Sequence, residues 1–577
     1  MRNPSIALAR ALACALPLLL SACGGGGGAG SAPGGGDKPA AAPLKLTAVT
    51  PADGASTGVD AVPGASFDAA PALATLTSTS FSLSSAIGAV DARVAVNGNN
   101  ATLTPAKPLV WGSHYQLSVT DAVAGAAGGK LAAPSKTGFD TRMPSWGTTA
   151  VIDADAPSAA FSGGGNALPA GGAANGDTIG LWLASPASGT SQVVARHYSA
   201  ATQRWGASID IQGNTAQAES PELSVDANGN ACAIWEERRD DGNFVVKAAR
   251  YDAAGGRWSA PATISNANGP SSRFGLPRVA LAQNGNIVVA WIQYQAANSN
   301  LSTIDAAYYD AAAKQWAPAR PLQAVQVNTL FPQVAIDARG NAMVLWSQAA
   351  ATPEPLVAHA ARYDAAAKAW GGATMVAANA TEISYAMMIG FDPAGNAVGI
   401  LKKDARFGGE LSAVRYNAAG NSWGKPEPLG GGDAGRGQLV FDPAGNATLV
   451  WSEFNTALVN TTIEGRRYQS STGAWTRLPS VTSYVVSSMP LVVDPAGNLV
   501  TSWVSYTNNR YQMYAMRYGA ASGKWDAPAL IADSVNAMRD PALAIDQSGQ
   551  ALLLWPQHVG GYNDSVAHIH YNRLGGR

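Results

Sequence analysis

Residues 439–451 read "LVFDPAGNATLVW", and near-copies stand at 389–401 ("IGFDPAGNAVGIL") and 491–503 ("LVVDPAGNLVTSW"). Each copy is an apolar run, then D-x-x-G-N, then a second apolar run. The Asp recurs at 226, 337, 392, 442, 494 and 546. Asp first, Pro second and Gly fourth suit a tight turn: the carboxylate caps backbone amides, Pro presets φ, and Gly takes the positive φ. "DANGN" at 226–230 also echoes a calcium loop, but it lacks the later bidentate carboxylate such loops need. The expectation is therefore a scaffold turn, with no metal and no cofactor.

Working outward, the second run ends in Trp at 182, 235, 291, 346, 451, 503 and 555, with Leu401 in the remaining slot, a period of 50–56 residues. A third run follows and ends in Tyr at 198, 251, 309, 363, 416, 468, 518 and 571. Seven residues after each of the first seven Tyr comes another Trp (205, 258, 316, 370, 423, 475, 525), and six further on an Ile, Leu or Val (211, 264, 322, 376, 429, 481, 531). Four strands per repeat is the pattern of a β-propeller blade.

After Tyr571 the sequence gives out at Arg577, one residue short of an eighth Trp. "SWGTTAVI" at 145–152 supplies the missing strand, with Trp146 and, six on, Ile152. The eighth blade is thus expected to be closed by a strand from the start of the domain, which removes two open sheet edges. Eight blades are favoured over 143–577. Seven is the alternative if 157–212, whose first turn is degenerate, is not a full blade. The Arg before Tyr (250, 362, 415, 467, 517), with His at 197 and 570, is expected to make inter-blade or solvent-facing contacts.

Upstream, 44–142 alternates apolar and polar residues in short runs ("LKLTAVT", "SFSL", "VAVNG", "HYQLSVT"), the pattern of a β-sandwich. Its order "TPADGA…TLTPAKPLVWGSHYQLSV…FDTR" resembles a bacterial Ig-like domain, which implies a spacer or adhesive module. Trp111 is expected to pack in a loop of that domain. The fold class is all-β: a sandwich followed by a propeller.

Charged residues are only 13% and the formal net charge is −1, so no basic nucleic-acid footprint exists. At the N-terminus, Arg2 and Arg10 precede "ALACALPLLLSA", too short to span a bilayer and typical of a secretory signal over 1–22. "LSAC" at 20–23 resembles the bacterial lipobox, which implies lipidation of Cys23 and anchorage in a membrane. Gly24 lacks the Asp that commonly retains such proteins at the inner membrane, so the outer membrane is expected. Residues 23–43, Gly-rich, read as a flexible tether of about 25 Å. Loss of 1–22 removes two Arg and no acids, leaving 36 basic against 39 acidic residues, a balance of −3. Cys232 would then be the sole free thiol, expected buried in a strand.

The D-x-x-G-N turn and the Tyr-to-Trp hairpin lie on one propeller face and hardly vary. The hairpins between strands two and three, and the links between blades, lie on the other and vary freely. A binding face varies, so function is expected there. Its candidate residues are Glu236, Glu237, Arg238, Arg239 and Asp240; Arg273 and Phe274; Tyr385; Lys402, Lys403 and Asp404, after the blade where Leu401 replaces Trp; Glu453; Tyr506 and Arg510; Arg539 and His558. "RYDAAAKAW" at 362–370 resembles the kelch repeat, without its Gly-Gly. "SPELSVDANGNACAIWEERRDD" at 220–241 resembles the first blade of sialidase-like propellers, which implies an arginine clamp, a Tyr–Glu pair and an Asp acid. Glu219 stands where the first clamp Arg belongs, and Arg539-x-Pro541 lies in another blade, so that catalytic set does not map. His568-x-His570 offers two metal ligands and no third.

Three functions are distinguishable. A non-catalytic module binding an envelope glycan or protein predicts no cluster of buried carboxylates at the channel mouth. A glycoside hydrolase predicts a carboxylate pair about 5–9 Å apart beside an Arg cluster. A purely structural docking protein predicts an apolar patch on the variable face.

Overall fold

The computed structural model describes residues 41–575, apart from 153–158, 161–167, 185–189, 267–274, 296–297, 326–327, 350–355, 377–383, 404–408, 432–433, 456–459 and 560–565. Cys23, the expected lipidation position, and the expected tether lie outside the described residues, as do Arg273, Phe274 and Asp404. No described helix is long and apolar enough to cross a membrane.

Two sheets form the N-terminal sandwich. One orders Leu46–Thr50, Gly64–Phe67, Asn100–Pro105 and Ala92–Asn97; the other orders Ala55–Thr57, Ser135–Thr141, His114–Val119, Phe81–Ser85 and Gly88–Ala89. Alternate residues of each strand turn inward, as in His114–Val119, where Tyr115, Leu117 and Val119 are buried. With Phe81 and Phe139 they form one apolar core between the sheets.

The rest is a ring of antiparallel sheets. Blade two shows the plan: Ala218–Val225 innermost, then Ala231–Arg238, then Phe244–Asp252, then a broken outer strand of Arg257–Trp258 and Ala262–Thr263. Inner strands of the other blades begin at Ala170, Arg278, Asn328, Ser384, Ala434, Leu491 and Ala542. Eight blades are present among the described residues. Second strands are buried along most of their length because each sheet is sandwiched between two others. Ala342–Ala349, for example, is buried at all but one position. Every second-strand Trp is 0–2% exposed, and each such ring removes a large apolar area from water.

The Tyr-to-Trp spacing is a register. In seven blades the two residues are directly opposed across the hairpin, with ring centroids 5.2–5.4 Å apart. In blade six, Leu478, not Val481, fills the buried position after Trp475.

Closure occurs as the sequence implied, with one correction. Ala150–Val151 pairs with Val566–Leu574 and completes blade eight. However, the Tyr slot there belongs to Leu574, not Tyr571. Five residues after the turn Asp, Ala231 opposes Tyr251 and Ala447 opposes Tyr468; at that position Ala551 opposes Leu574. Trp146 bridges Leu574, and the Ile152 amide donates to the Ile569 carbonyl as the Ile211 amide donates to Val193. Tyr571 misled because an unrelated Tyr lies three residues before the slot. The Arg slot correspondingly belongs to Arg573, not His570, whose ring instead stacks on Trp555 at 5.7 Å.

The turn that opened this reading is scaffold. In blade six Asp442 Oδ1 accepts from the Ala444 and Asn446 amides, and Oδ2 accepts from Asn446 Nδ2 at 2.8 Å. Asn446 Oδ1 then accepts from the Ser470 amide, which ties the first hairpin of the blade to the second. Similar bonds recur at Asp226, Asp337, Asp392 and Asp494. The fourth-position Gly has φ between 80° and 90° in every blade, a left-handed value that a side chain resists. Residues of the Arg slot mostly cross to the next blade. Arg250 lies 4.1 Å from the centroid of Tyr309, Arg467 donates to Gly497, Arg573 lies over Tyr198, and His197 stacks on Tyr251.

Candidate functional site

The inner strands converge on a channel with two ends. At the fixed-turn end a cavity of about 480 Å³ is lined by the D-P-A-G turns themselves. Its carboxylates are the ones that cap their own turns, so this larger opening is built of repeated scaffold. The other end opens on the variable face, where each inner strand begins. There a cavity of about 440 Å³ is lined by polar side chains, among them Glu222, Arg278 and Gln438, and by prolines such as Pro169, Pro490 and Pro541.

Most residues singled out from the sequence serve the ring. Glu237 and Glu453 stand two after the second-strand Trp and accept from its indole N–H, the role of Gln293 and Gln348 in blades three and four. Glu237 also pairs with Lys247 at 3.4 Å. Glu236 and Lys402 stand one after the Trp slot and reach the inner strand of the next blade, Glu236 accepting from the Gly275 amide and Lys402 donating to the Ala434 carbonyl. Arg539 donates to Nε2 of the buried His558 at 3.1 Å. Arg238, Arg239 and Asp240 are exposed, with Arg239 3.3 Å from Asp241. Tyr506 and Arg510 share a hairpin, where Tyr506 packs on Tyr511 at 4.6 Å and Arg510 pairs with Asp533 at 2.7 Å. Tyr385 and Lys403 lie on the facing strands of blade five. These residues are spread over five blades and form no single site. Exposed apolar residues of this face are concentrated in blades six to eight (Phe454, Tyr484, Val486, Tyr506, Val535 and Val559), with Leu276 and Val325 lying apart from them at blades three and four.

Carboxylates do gather at the mouth, between blades two and three. Glu219 opposes Glu236 across the strand pair, and Glu222 on the same inner strand forms an ion pair with Arg278 of the next blade. Burial pushes the Glu236 carboxyl up to about 7, against the opposing pull of the Gly275 amide. Its Oε2 is buried without a hydrogen-bond partner. Burial also raises Glu219 and Glu222, partly offset by Arg238 and Arg278 respectively. Glu222 keeps about a third of its side-chain surface exposed, so solvent screens its charge.

Backbone strain marks the same place. Ser220 and Leu276 hold φ of 50° and 47°. Each directly precedes a proline, which disfavours helical-type conformations in the residue before it. The other described non-glycine residues with positive φ, Gln203, Lys314, Lys368, Asn421, Asn508 and Asn509, are at hairpin turns. A register irregularity falls at about the same point of the inner strands of blades two, four, five and six, so the bulge is shared by the ring, and Ser220 and Leu276 add positive φ in blades two and three. Sequence reading missed Glu222 and Arg278. The available signal was their shared position, each directly after the inner-strand proline of its blade, with opposite charge.

Residues 40–141 match the bacterial Ig-like domain family. No curated protein sequence matches the chain. Among solved structures it is similar to a polysaccharide lyase, an ulvan lyase bound to a GlcA–Rha3S chain, at 11% identity and a TM-score of 0.41, covering 62% of this chain and 91% of that one. An intramolecular trans-sialidase from Ruminococcus gnavus matches at 12% identity and a TM-score of 0.33, covering 74% and 98%. A protein of unknown function from Dyadobacter fermentans matches at 13% and 0.37, covering 62% and 95%.

Proposed function

We propose that the chain is a lipid-anchored cell-envelope protein whose propeller holds a glycan or protein partner on its variable face without acting on it chemically. One observation carries this reading. The carboxylates a hydrolase would need on that face are committed to the ring: Glu236 to the Gly275 amide, Glu237 and Glu453 to tryptophan indoles. A carboxylate cluster is present at the channel mouth, against the expectation for a binding-only module, but beyond the committed Glu236 it consists of Glu219 and the balanced Glu222–Arg278 pair beside prolines, a surface for binding more than for proton transfer.

The test is a glycan array together with an envelope pull-down, using the mature chain. Retained glycans or a specific captured protein, with no new reducing ends released, is the expected result. A hydrolase reading draws on Glu219, Glu222 and Glu236 crowding one mouth, with Glu236 near neutrality like a general acid. Release of reducing ends that Glu236→Gln abolishes would establish it and end the binding-only reading.

A further inference from the structure

We propose that the variable-face end of the channel seats a neutral sugar, as a ring or chain end, with Glu222 and Arg278 reading its hydroxyls; this deepens the glycan reading above and rests on it. A sugar ring is amphipathic, with C–H faces and a hydroxyl edge. The cavity offers both kinds of surface: prolines of blades one, two, seven and eight line it together with the polar side chains of Ser220, Glu222, Arg278, Gln438 and Ser488. At about 440 Å³ it lies within the usual range for small-molecule sites of roughly 300–1,000 Å³.

Charge decides the class of sugar. Arg278 Nη1 is engaged by Glu222 Oε1 and by its neighbour's carbonyl at Pro277. The pair leaves carboxylate acceptors and guanidinium donors side by side with little net charge. Two adjacent hydroxyls can donate to the one and accept from the other at once. An anionic sugar would need an uncompensated arginine, and it would meet Glu222, with Glu219 close behind on the same strand. A pair spanning two blades is also rigid, because each member sits on an inner strand. Ser220 and Leu276, the two residues forced to positive φ, both line this cavity and immediately precede the two prolines that position the pair. Positive φ at the same point of two neighbouring blades holds these two prolines, and with them the pair, in place.

The test uses the mature chain in calorimetric titrations against neutral methyl hexopyranosides and short neutral oligosaccharides, with glucuronate as the anionic control. Glu222→Gln preserves shape and removes charge; Glu222→Ala and Arg278→Ala remove the hydroxyl partners, with melting curves run on each. The expected result is binding of at least one neutral sugar, weakened tenfold or more by either alanine variant and several-fold by Glu222→Gln. Binding that survives both alanine variants within twofold overturns the seat while leaving glycan recognition elsewhere on the face intact. Preference for glucuronate overturns the class. If neither titration nor an array of the same sugars gives any signal, the seat is overturned, and capture of a protein alone overturns the glycan reading with it.

Discussion

Glu236 shows how a residue can resemble a catalytic acid and yet belong to the scaffold. It is buried, opposes another glutamate, and titrates near 7 because burial disfavours its charge. Its contact, however, is the backbone of the next blade, matched in blade five by Lys402. The raised value has a thermodynamic consequence. The folded state holds this proton more tightly than the unfolded chain, whose carboxyl titrates near 4.5. The stability it contributes is therefore full below 4.5 and is lost as pH rises through about 7. Glu236→Gln cannot lose a proton. Relative to wild type it should gain on the order of 2–3 kcal/mol between pH 5 and pH 8. Urea midpoints of both proteins at the two pH values measure this, and a constant difference between them would refute it. Cys232 behaves oppositely to a functional thiol: burial pushes it up to about 12, in keeping with a strand-core cysteine. At this scale the sequence marked polar residues correctly as unusual. It could not say whether they face solvent or a neighbouring blade, because that depends on packing between repeats.

At the scale of the element, local chemistry made the fold legible. D-x-x-G-N states its own hydrogen bonds, and Tyr with Trp seven later states a hairpin register, so both were readable from one strand pair at a time. Glu222 and Arg278 were not, since they lie 56 residues apart in sequence and meet only when inner strands converge. The slip at Tyr571 has the same origin: spacing from the previous repeat located a Tyr, whereas the turn Asp546 locates Leu574. The closing strand can be tested on its own. A chain beginning at 143 keeps Trp146 and Ala150–Val151, and one beginning at 153 lacks them, keeps only the Ala159–Ala160 pairing to Val566 and Ala567, and leaves the rest of that strand, from His568 to Leu574, as an open edge. The first should melt cooperatively and stay monomeric. The second should melt lower and self-associate, as read by calorimetry and light scattering. Equal behaviour of the two would mean that the ring does not depend on this strand.

The two domains are joined where the Arg slot departs from the inter-blade rule. In blade seven the Arg slot does not serve the next blade. Arg517, nearly fully buried, donates to the Trp111 carbonyl of the sandwich at 2.7 Å, and the Trp111 amide donates to Ser548 at 2.8 Å. Ser548 lies in a D-x-x-G turn, so the sandwich docks on the fixed-turn face. The side from which the tether would lead is therefore opposite the variable face, and the proposed seat points away from it. On the proposed reading, with a lipid at Cys23, such an arrangement suits a protein that meets its partner beyond the anchor. It holds only if the two domains are rigidly joined, and Arg517 is the donor that joins them while packing beside Asp494. Arg517→Met keeps much of the apolar stem and deletes the donors. Asp494 retains its turn bonds from Ala496 and Asn498, so the ring should survive. X-ray scattering should then show a broader distance distribution and a larger radius of gyration than wild type, with faster proteolysis near the exposed Met143. An unchanged scattering curve would place the rigidity elsewhere, and the orientation of the binding face would no longer follow from this contact.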